Sequence, residues 1–253
     1  MTEWYEIMEN YKMKKILSLA LTLTLTLTLI SCSRGQQIPV ERSLYEYYTI
    51  AHRHLARGNP RFAAEEFLNA ERSFPASPWA ADALIMAAYS AYRDRDFPGV
   101  ILTTDRFMRF HPGHANVDYV LYLRGMAFFR QTSDVRREQG MSVLALQTFS
   151  QLVERFPNTE YAENARNKIV ILQNYLAGKL MHSARREMAR QNWPSAIDHL
   201  QNVILNFQET VMTPEALFRL HESYRAIGLT SQSDSFADML RLNFPDNEWV
   251  RKL

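Results

Sequence analysis

Three sets of side chains in this 253-residue chain have types and spacings that could carry chemistry. One is the single cysteine, Cys32; with no second cysteine it closes no internal disulfide and is left for modification. The second is seven histidines, which include His52-x-His54 and His111-x-x-His114. Neither pair has an obvious third ligand near it, so no metal site is expected. The third is a set of tyrosines with arginines nearby in sequence, a combination that suits contact with extended peptide: a rigid apolar ring with a polar tip, and a planar donor for carboxylates. Nucleophilic and phosphate chemistry have no footing. No two of the eight glycines lie within ten residues, so no glycine-rich phosphate loop is present, and His-Glu-x-x-His and Gly-x-Ser-x-Gly are absent. No catalytic residue and no cofactor is expected, and the chain does not read as an enzyme.

The elements that must position these residues are read from Gly58-Asn-Pro-Arg-Phe-Ala-Ala-Glu-Glu-Phe-Leu-Asn-Ala-Glu-Arg-Ser-Phe-Pro75. Ala63, Phe67 and Ala70 are spaced i, i+4, i+7 on one helical face, and Pro75 ends the helix. Small residues where helices meet, an aromatic wedge and a closing proline describe the second helix of a tetratricopeptide-type hairpin. Similar helix ends recur at Pro112, Pro157, Gln208 and Pro245, at intervals of 37, 45, 51 and 37 residues. The small position returns as Val100, Ala145, Ala196 and Ser233; the aromatic returns only as Phe149, with Thr104, Leu200 and Ala237 elsewhere. One hairpin cannot bury its apolar face alone, so stacking is required. The expected fold is an all-α solenoid of five hairpins, with N-terminal repeats 1–3 over 43–160 and C-terminal repeats 4–5 over 161–253.

Composition agrees. Apolar residues make up 47% of the chain, enough for a core, and the only regular alternation runs from Leu19 to Ile30. The net charge of +2 gives no clustered basic face for nucleic acid.

Residues 1–12 hold three glutamates and look wrong as the start of a targeting signal, whereas Met13-Lys-Lys15 followed by the apolar run 16–30 looks right. Met13 is therefore the expected start, with a tolerated extension as the alternative. The run is too short and too threonine-laced for a membrane span, which needs about 20 apolar residues; residues 1–31 read as a cleaved signal. Leu29-Ile-Ser-Cys32 then resembles the bacterial lipobox, in which the cysteine thiol is diacylated and the new amine acylated. Several acyl chains anchor stably where one does not. Ser33, rather than aspartate, points to the outer membrane. Residues 32–42 read as a lipidated tether.

Further helices are expected over 43–57, 60–74, 79–93, 117–130, 141–156, 161–190, 214–227 and 231–243. Ser77-Pro78 is expected to open the third of these, and Gly178 is a modest interruption in the long one. Residues 131–140 are polar and read as a loop, and 246–253 read as too short to cap much.

His111-Pro-Gly-His-Ala-Asn-Val-Asp-Tyr-Val-Leu-Tyr-Leu-Arg-Gly125, Glu154-Arg-Phe-Pro-Asn-Thr-Glu-Tyr-Ala162 and Asn164-Ala-Arg166 resemble stretches of the BamD-type lipoproteins of the outer-membrane-protein assembly machinery, tetratricopeptide-repeat proteins with five repeats. The resemblance spans about 32–250. It departs in a short insertion within repeat three and in Gln208 where a proline is expected. The resemblance implies a non-catalytic scaffold lipid-anchored to the outer membrane, on its periplasmic face. Its C-terminal repeats would dock on the periplasmic domains of the barrel insertase, beside other assembly lipoproteins. Its N-terminal repeats would receive unfolded outer-membrane-protein precursors through an aromatic-rich C-terminal signal. The competing readings are another periplasmic tetratricopeptide adaptor, of the kind that coordinates cell division, and a lipoprotein carrying a small ligand in a closed cavity. The lipobox and the lack of a leading coiled coil stand against the first.

A helical-repeat superhelix lines its concave face with the first helix of each hairpin. Aligned on the closing prolines and Gly125, those positions are Tyr45, Tyr48, His52 and Leu55; Asp82, Ile85, Tyr89 and Tyr92; Tyr119, Tyr122, Met126 and Phe129. The six tyrosines with His52 are the expected peptide groove, and Arg124, like Arg53 and Arg93, the expected carboxylate partner. The bland alternative is that the rings pack between helices with their hydroxyls wet. In repeats four and five the positions are Gly178, Met181, Arg185 and Met188, then Glu215, Phe218, Glu222 and Arg225. Arg185, Met188, Phe218, Glu222 and Arg225 are the expected partner-docking residues, with a solvated face as the alternative.

Overall fold

A computed structural model of the protein describes residues 42–132 and 140–253. The expected start at Met13, the leader, Cys32 and the tether up to residue 41 lie outside the described residues, as do 133–139 of the expected loop.

Ten α-helices and no strand are found among the described residues: α1 (Leu44–Ala56), α2 (Pro60–Ser73), α3 (Ala80–Arg93), α4 (Phe97–Phe110), α5 (Val117–Phe129), α6 (Gly140–Arg155), α7 (Glu160–Ala189), α8 (Trp193–Asn206), α9 (Thr213–Ala226) and α10 (Thr230–Asn243). A short 3-10 turn, Val250–Lys252, follows. Residues 44–253 form one compact unit in which successive helices pack as five antiparallel hairpins.

The repeat spacing is what buries the core. The small positions Ala63, Val100, Ala145 and Ala196 are fully buried, and so are the wedge positions Phe67, Thr104, Phe149 and Leu200. Each buried ring or leucine contributes roughly 2–3 kcal/mol of transfer free energy. Two polar residues fit these apolar slots because their hydroxyls are satisfied locally. Thr104 donates to the Val100 carbonyl at 2.8 Å, and Ser233 donates across the last hairpin to the His221 carbonyl at 2.9 Å.

Five helices end alike. Phe74, His111, Phe156, Phe207 and Phe244 each donate a backbone N–H to the carbonyl four residues back, and the amide three residues on returns to them in a tight turn. The turns inside the first, second, fourth and fifth hairpins share a second device. Gly58, Arg95, Gln191 and Gly228 all sit at positive φ, between 56° and 82°. They occupy equivalent places, 37 residues apart within each pair. A left-handed residue is the ordinary way to end a helix and reverse the chain.

Helix α5 lies at the centre of the first three hairpins and touches α3, α4, α6 and α7, which is why it is buried on nearly all sides. Gly125 lets α6 approach it. A Cβ there would stand 2.5 Å from Cε1 of Phe149. Helix α7 is continuous over 30 residues, and Gly178 does not interrupt it.

Two expectations are corrected. Ser77-Pro78 does not open α3: Ser77 accepts the Trp79 N–H at 3.2 Å in a turn, and the helix begins at Ala80. The C-terminal segment does cap the array, because Trp249, Val250 and Leu253 pack on Leu217, Phe218 and Leu240.

Candidate functional site

Helices α3, α5 and α7 bring four of the six predicted tyrosines together with a fifth. Tyr119 and Tyr122 lie one turn apart on α5, with ring centroids 5.1 and 5.3 Å from that of Tyr161 at the start of α7. Tyr122 donates to Oδ1 of Asn164 at 3.0 Å. From α3, Tyr92 accepts Nε of Arg130 at 3.3 Å, and the Arg93 guanidinium stands 5.9 Å from the Tyr89 ring centre. Burial pushes the Tyr119 phenol up to about 12, and the phenols of Tyr161, Tyr89, Tyr122 and Tyr92 add to the shift. Burial and Tyr92 raise Tyr122 as well, against the opposing charge of Arg130. These rings are neither wholly core nor wholly free: each is half-buried.

Repeat one forms a separate aromatic corner. Tyr48 donates to the Trp79 carbonyl at 2.8 Å and stands edge-on to Phe67, 5.4 Å between centroids. Burial, then the Asp82 charge, push its phenol up to about 12. His52 also meets Phe67 edge-on at 5.4 Å. Tyr45 and Trp79 are exposed, and with Leu44 and Tyr48 they line an apolar cleft of about 280 Å³.

Arg124 is a correction. Its Nη2 lies 2.9 Å from Oδ1 of Asp105 on α4, and its guanidinium lies over Phe128, on the side of α5 away from the tyrosines. Positions 122 and 124 are about 200° apart around a helix, so a residue two on from a groove tyrosine cannot share its face. The arginines that do reach the aromatic patch are Arg93, Arg95 and Arg130, which with Tyr92 and Phe97 line a cleft of about 420 Å³.

Two of the expected docking residues, Arg185 and Glu222, are paired within the fold while staying partly open to solvent. Arg185 of α7 grips Glu215 of α9 with two hydrogen bonds, the Nε–Oε1 bond being 2.8 Å and the other joining Nη2 to Oε2. Arg219 adds contacts to Glu215 at 3.5 Å and to Glu222 at 2.7 Å, and lies 5.2 Å from the centre of the Trp249 ring. Phe218 is buried beside Trp249, Met188 is half-buried against the core that α7, α8 and α9 share, and Arg225 is exposed.

The histidine pairs are ring-packed. His52 and His54 lie against Phe67 and Phe62, and His111 and His114 both lie against Phe107. Among the described residues no three of His, Cys, Asp or Glu gather as a metal site, and no helix is long and apolar enough to cross a membrane.

Residues 41–239 match the family described as YfiO, outer membrane lipoprotein. The chain belongs to this family. Three curated relatives, each an outer membrane protein assembly factor BamD, extend the likeness. That of Caulobacter vibrioides is 36% identical over 209 residues, which cover 83% of this chain and 68% of the relative. That of Rickettsia prowazekii is 32% identical over 187 residues and 74% of each chain. That of Neisseria meningitidis serogroup A is 31% identical over 251 residues and 94% of each chain.

Position-by-position alignment of the first helices misses Tyr161, Asn164, Arg95 and Arg130. The first two lie in the part of α7 that has no counterpart in a regular repeat. The last two lie at helix ends, where helical periodicity gives no direction.

Proposed function

We propose that the chain is a lipid-anchored assembly factor for outer-membrane proteins. Cys32 carries the lipid, and the helical body stands on the periplasmic face of the outer membrane. The first three hairpins receive unfolded barrel precursors; the last two dock on the periplasmic domains of the barrel insertase, alongside other assembly lipoproteins. The role needs binding surfaces and no catalysis.

The observation that carries this reading is the half-open strip Tyr89, Tyr92, Tyr119, Tyr122 and Tyr161, in a chain whose relatives are named as assembly factors. Rings already immobilised by their neighbours lose little entropy when a peptide is laid across them. The paired charges Arg185, Glu215, Arg219 and Glu222 support the docking half for the same reason: a charge pattern held by internal hydrogen bonds is presented to a partner already ordered.

The test is made in cells of the source organism whose own copy has been depleted. The wild-type chain is expected to restore barrel-protein levels, to fractionate with the outer membrane and to co-purify with the insertase. Cys32→Ala is expected to leave the membrane fraction. Failure of the wild-type chain to co-purify with the insertase would overturn the docking role, and membrane retention of Cys32→Ala would overturn the anchor.

A further inference from the structure

The corner where the helical array begins leaves large rings uncovered. Tyr45 is 79% exposed and Trp79 57% exposed, and with Leu44 and Tyr48 they open an apolar cleft. Apolar surface that is contiguous rather than scattered marks a contact site. The turn that carries Trp79 also differs from its counterparts. Phe74-Pro-Ala-Ser-Pro-Trp79 holds no charged side chain and no histidine. The same six positions after the other similar helix ends hold His111 and His114, Glu160, Glu209, or Asp246 and Glu248. The last of these turns also finishes in tryptophan. Trp249 is half-buried against Phe218, 5.2 Å between centroids, with Arg219 and Lys252 over its ring. Trp79 meets the edge of Tyr48 at 6.2 Å and stays exposed. Of two tryptophans at one repeat position, one seals the array and the other faces outward.

The backbone of this turn is prepared for a water-poor surface. The N–H groups of Phe74, Ser77 and Ala80 donate to the carbonyls of Ala70, Phe74 and Ser77, each at 3.0 Å. The Trp79 N–H donates to Oγ of Ser77 at 3.2 Å, and the Trp79 carbonyl accepts the Tyr48 hydroxyl at 2.8 Å. Pro75 and Pro78 have no N–H to satisfy. Open backbone groups oppose transfer into an apolar medium; these are bonded before any contact is made.

We infer that this corner is a second membrane contact: Tyr45 and Trp79 enter the headgroup region of the phospholipid leaflet that holds the lipid on Cys32. The inference rests on the reading that Cys32 is lipidated, and it adds which part of the helical body meets the bilayer. Location favours a lipid surface as the occupant. Twelve residues separate Cys32 from Leu44, a reach of at most about 40 Å and about 20 Å as a flexible coil. The exposed rings therefore lie at the end of the body that the anchor keeps near the membrane. Tryptophan and tyrosine are the residues that favour the boundary between water and bilayer, with an apolar ring on one side and a polar tip on the other. The cleft is lined by no charged residue, so the contact works by partition and needs no anionic lipid. A flexible tether alone fixes only a distance; a tether and a ring contact together fix an orientation.

The test uses the full chain purified from membranes of its source cells and reconstituted into vesicles of phosphatidylethanolamine and phosphatidylglycerol. Part of the phospholipid carries bromine on its acyl chains, which quenches tryptophan at the bilayer boundary. Intact mass reads the lipid on Cys32 separately. Wild-type emission is expected to be quenched, and Trp79→Phe, which keeps a ring beside Tyr48, is expected to lose that quenching. Trp249→Phe is expected to leave it unchanged, and Tyr45→Ala to reduce it. Replacing phosphatidylglycerol with phosphatidylcholine is expected to have no effect. A lipidated protein with equal quenching in wild type and Trp79→Phe would overturn the corner and leave the anchor standing. A mass without lipid would overturn the anchor and, with it, the geometry from which the contact is argued. Two further results would overturn the lipid contact by giving the cleft another occupant. Without lipid quenching, a blue shift of Trp79 on adding a soluble aromatic-rich peptide would assign it to polypeptide. A red shift of Trp79 in Ile38→Ser, Val40→Ser, before any vesicle is added, would assign it to the tether.

Discussion

Gly125→Ala adds one methyl group in the middle of α5, and its effect can be worked out from the contact it creates. The new Cβ would lie 2.5, 2.7 and 3.0 Å from three atoms of the Phe149 ring, short of ordinary contact by about 1 Å. The ring cannot simply swing aside. Phe149 is fully buried, with Tyr122 and Phe129 rings at 6.3 and 6.4 Å. Either the ring leaves its rotamer or α5 and α6 splay, and overpacking of this kind costs about 1–3 kcal/mol. Alanine regains about 1 kcal/mol over glycine in a helix interior. The net is a loss of roughly 1 kcal/mol, up to about 2. Gly178→Ala is the matched control: it too sits inside a long helix, but its Cβ would meet only Cε of Met212, at an ordinary 3.9 Å. It should stabilise by about 1 kcal/mol. The same substitution therefore has opposite signs at two sites, separated by about 2–3 kcal/mol, or roughly 4–12 °C in thermal midpoint for a chain of this size. Melting followed by circular dichroism reads the separation. A second arm adds Phe149→Leu, which makes room, so the double variant should be less destabilised than the sum of the singles. If Gly125→Ala stabilised as much as Gly178→Ala, the close approach of α5 and α6 would not be what the glycine is for, and the reasoning would fail.

Burial raises the Glu215 carboxyl, but the hydrogen bonds and charge of Arg185, with the charge of Arg219, outweigh it and hold the group below the ordinary range. A carboxyl lowered in the folded state contributes stability that is complete above its unfolded value and is lost as pH falls through its folded value. Glu215→Gln should therefore destabilise at neutral pH and flatten the acid limb of a stability–pH curve below about pH 4. Trp249→Ala uncaps the last hairpin and, for a half-buried ring, should cost about 1–2 kcal/mol, less than the figure for a fully buried one. Amide exchange should accelerate in α9 and α10 and not in α1 to α4, and uniform acceleration would contradict nearest-neighbour stacking. Tyr119→Phe should delete a phenol that titrates near pH 12 in near-ultraviolet absorbance. Loss of a transition near pH 10 instead would show that the ring is not buried against its neighbours.

Hairpin existence and pairing were legible because they rest on period and size. Ala63, Phe67 and Ala70 are all fully buried, and helix ends fall within a residue or two of the expected ones. Even loose copies were readable, since a slot between two helices selects for volume and tolerates threonine or serine once the hydroxyl is satisfied locally. The proximity of Tyr119 and Tyr122 was legible for the same reason: three residues apart on one helix, they share a face. What escaped depends on atoms rather than on faces. Arg124 was placed by proximity in sequence, but on a helix a residue two positions from another points away from it. Arg95 and Gln191 hold a backbone conformation that glycine signals and they conceal. Trp249 repeats the turn that precedes α3, yet a stub with no helix after it leaves no period to read. In the C-terminal half the pairing of Arg185 with Glu215 was not legible, because a charged residue in a string does not reveal whether it also pairs with another helix of the same array.

The continuous α7 has a geometric consequence. The spacing of helix ends across it is 51 residues, against 37 between regular hairpins, an excess of 14. At about 100° per residue, 14 residues fall some 40° short of four whole turns, and they advance the chain by about 21 Å. The fourth and fifth hairpins are therefore set out of phase with the first three by an angle that helix length alone dictates. Removing four residues from the middle of α7 would nearly preserve that phase while shortening the offset, whereas removing two would turn one array through about 200° relative to the other. The helix thus works as an index: its residue count decides which way the tyrosine strip faces relative to the last two hairpins.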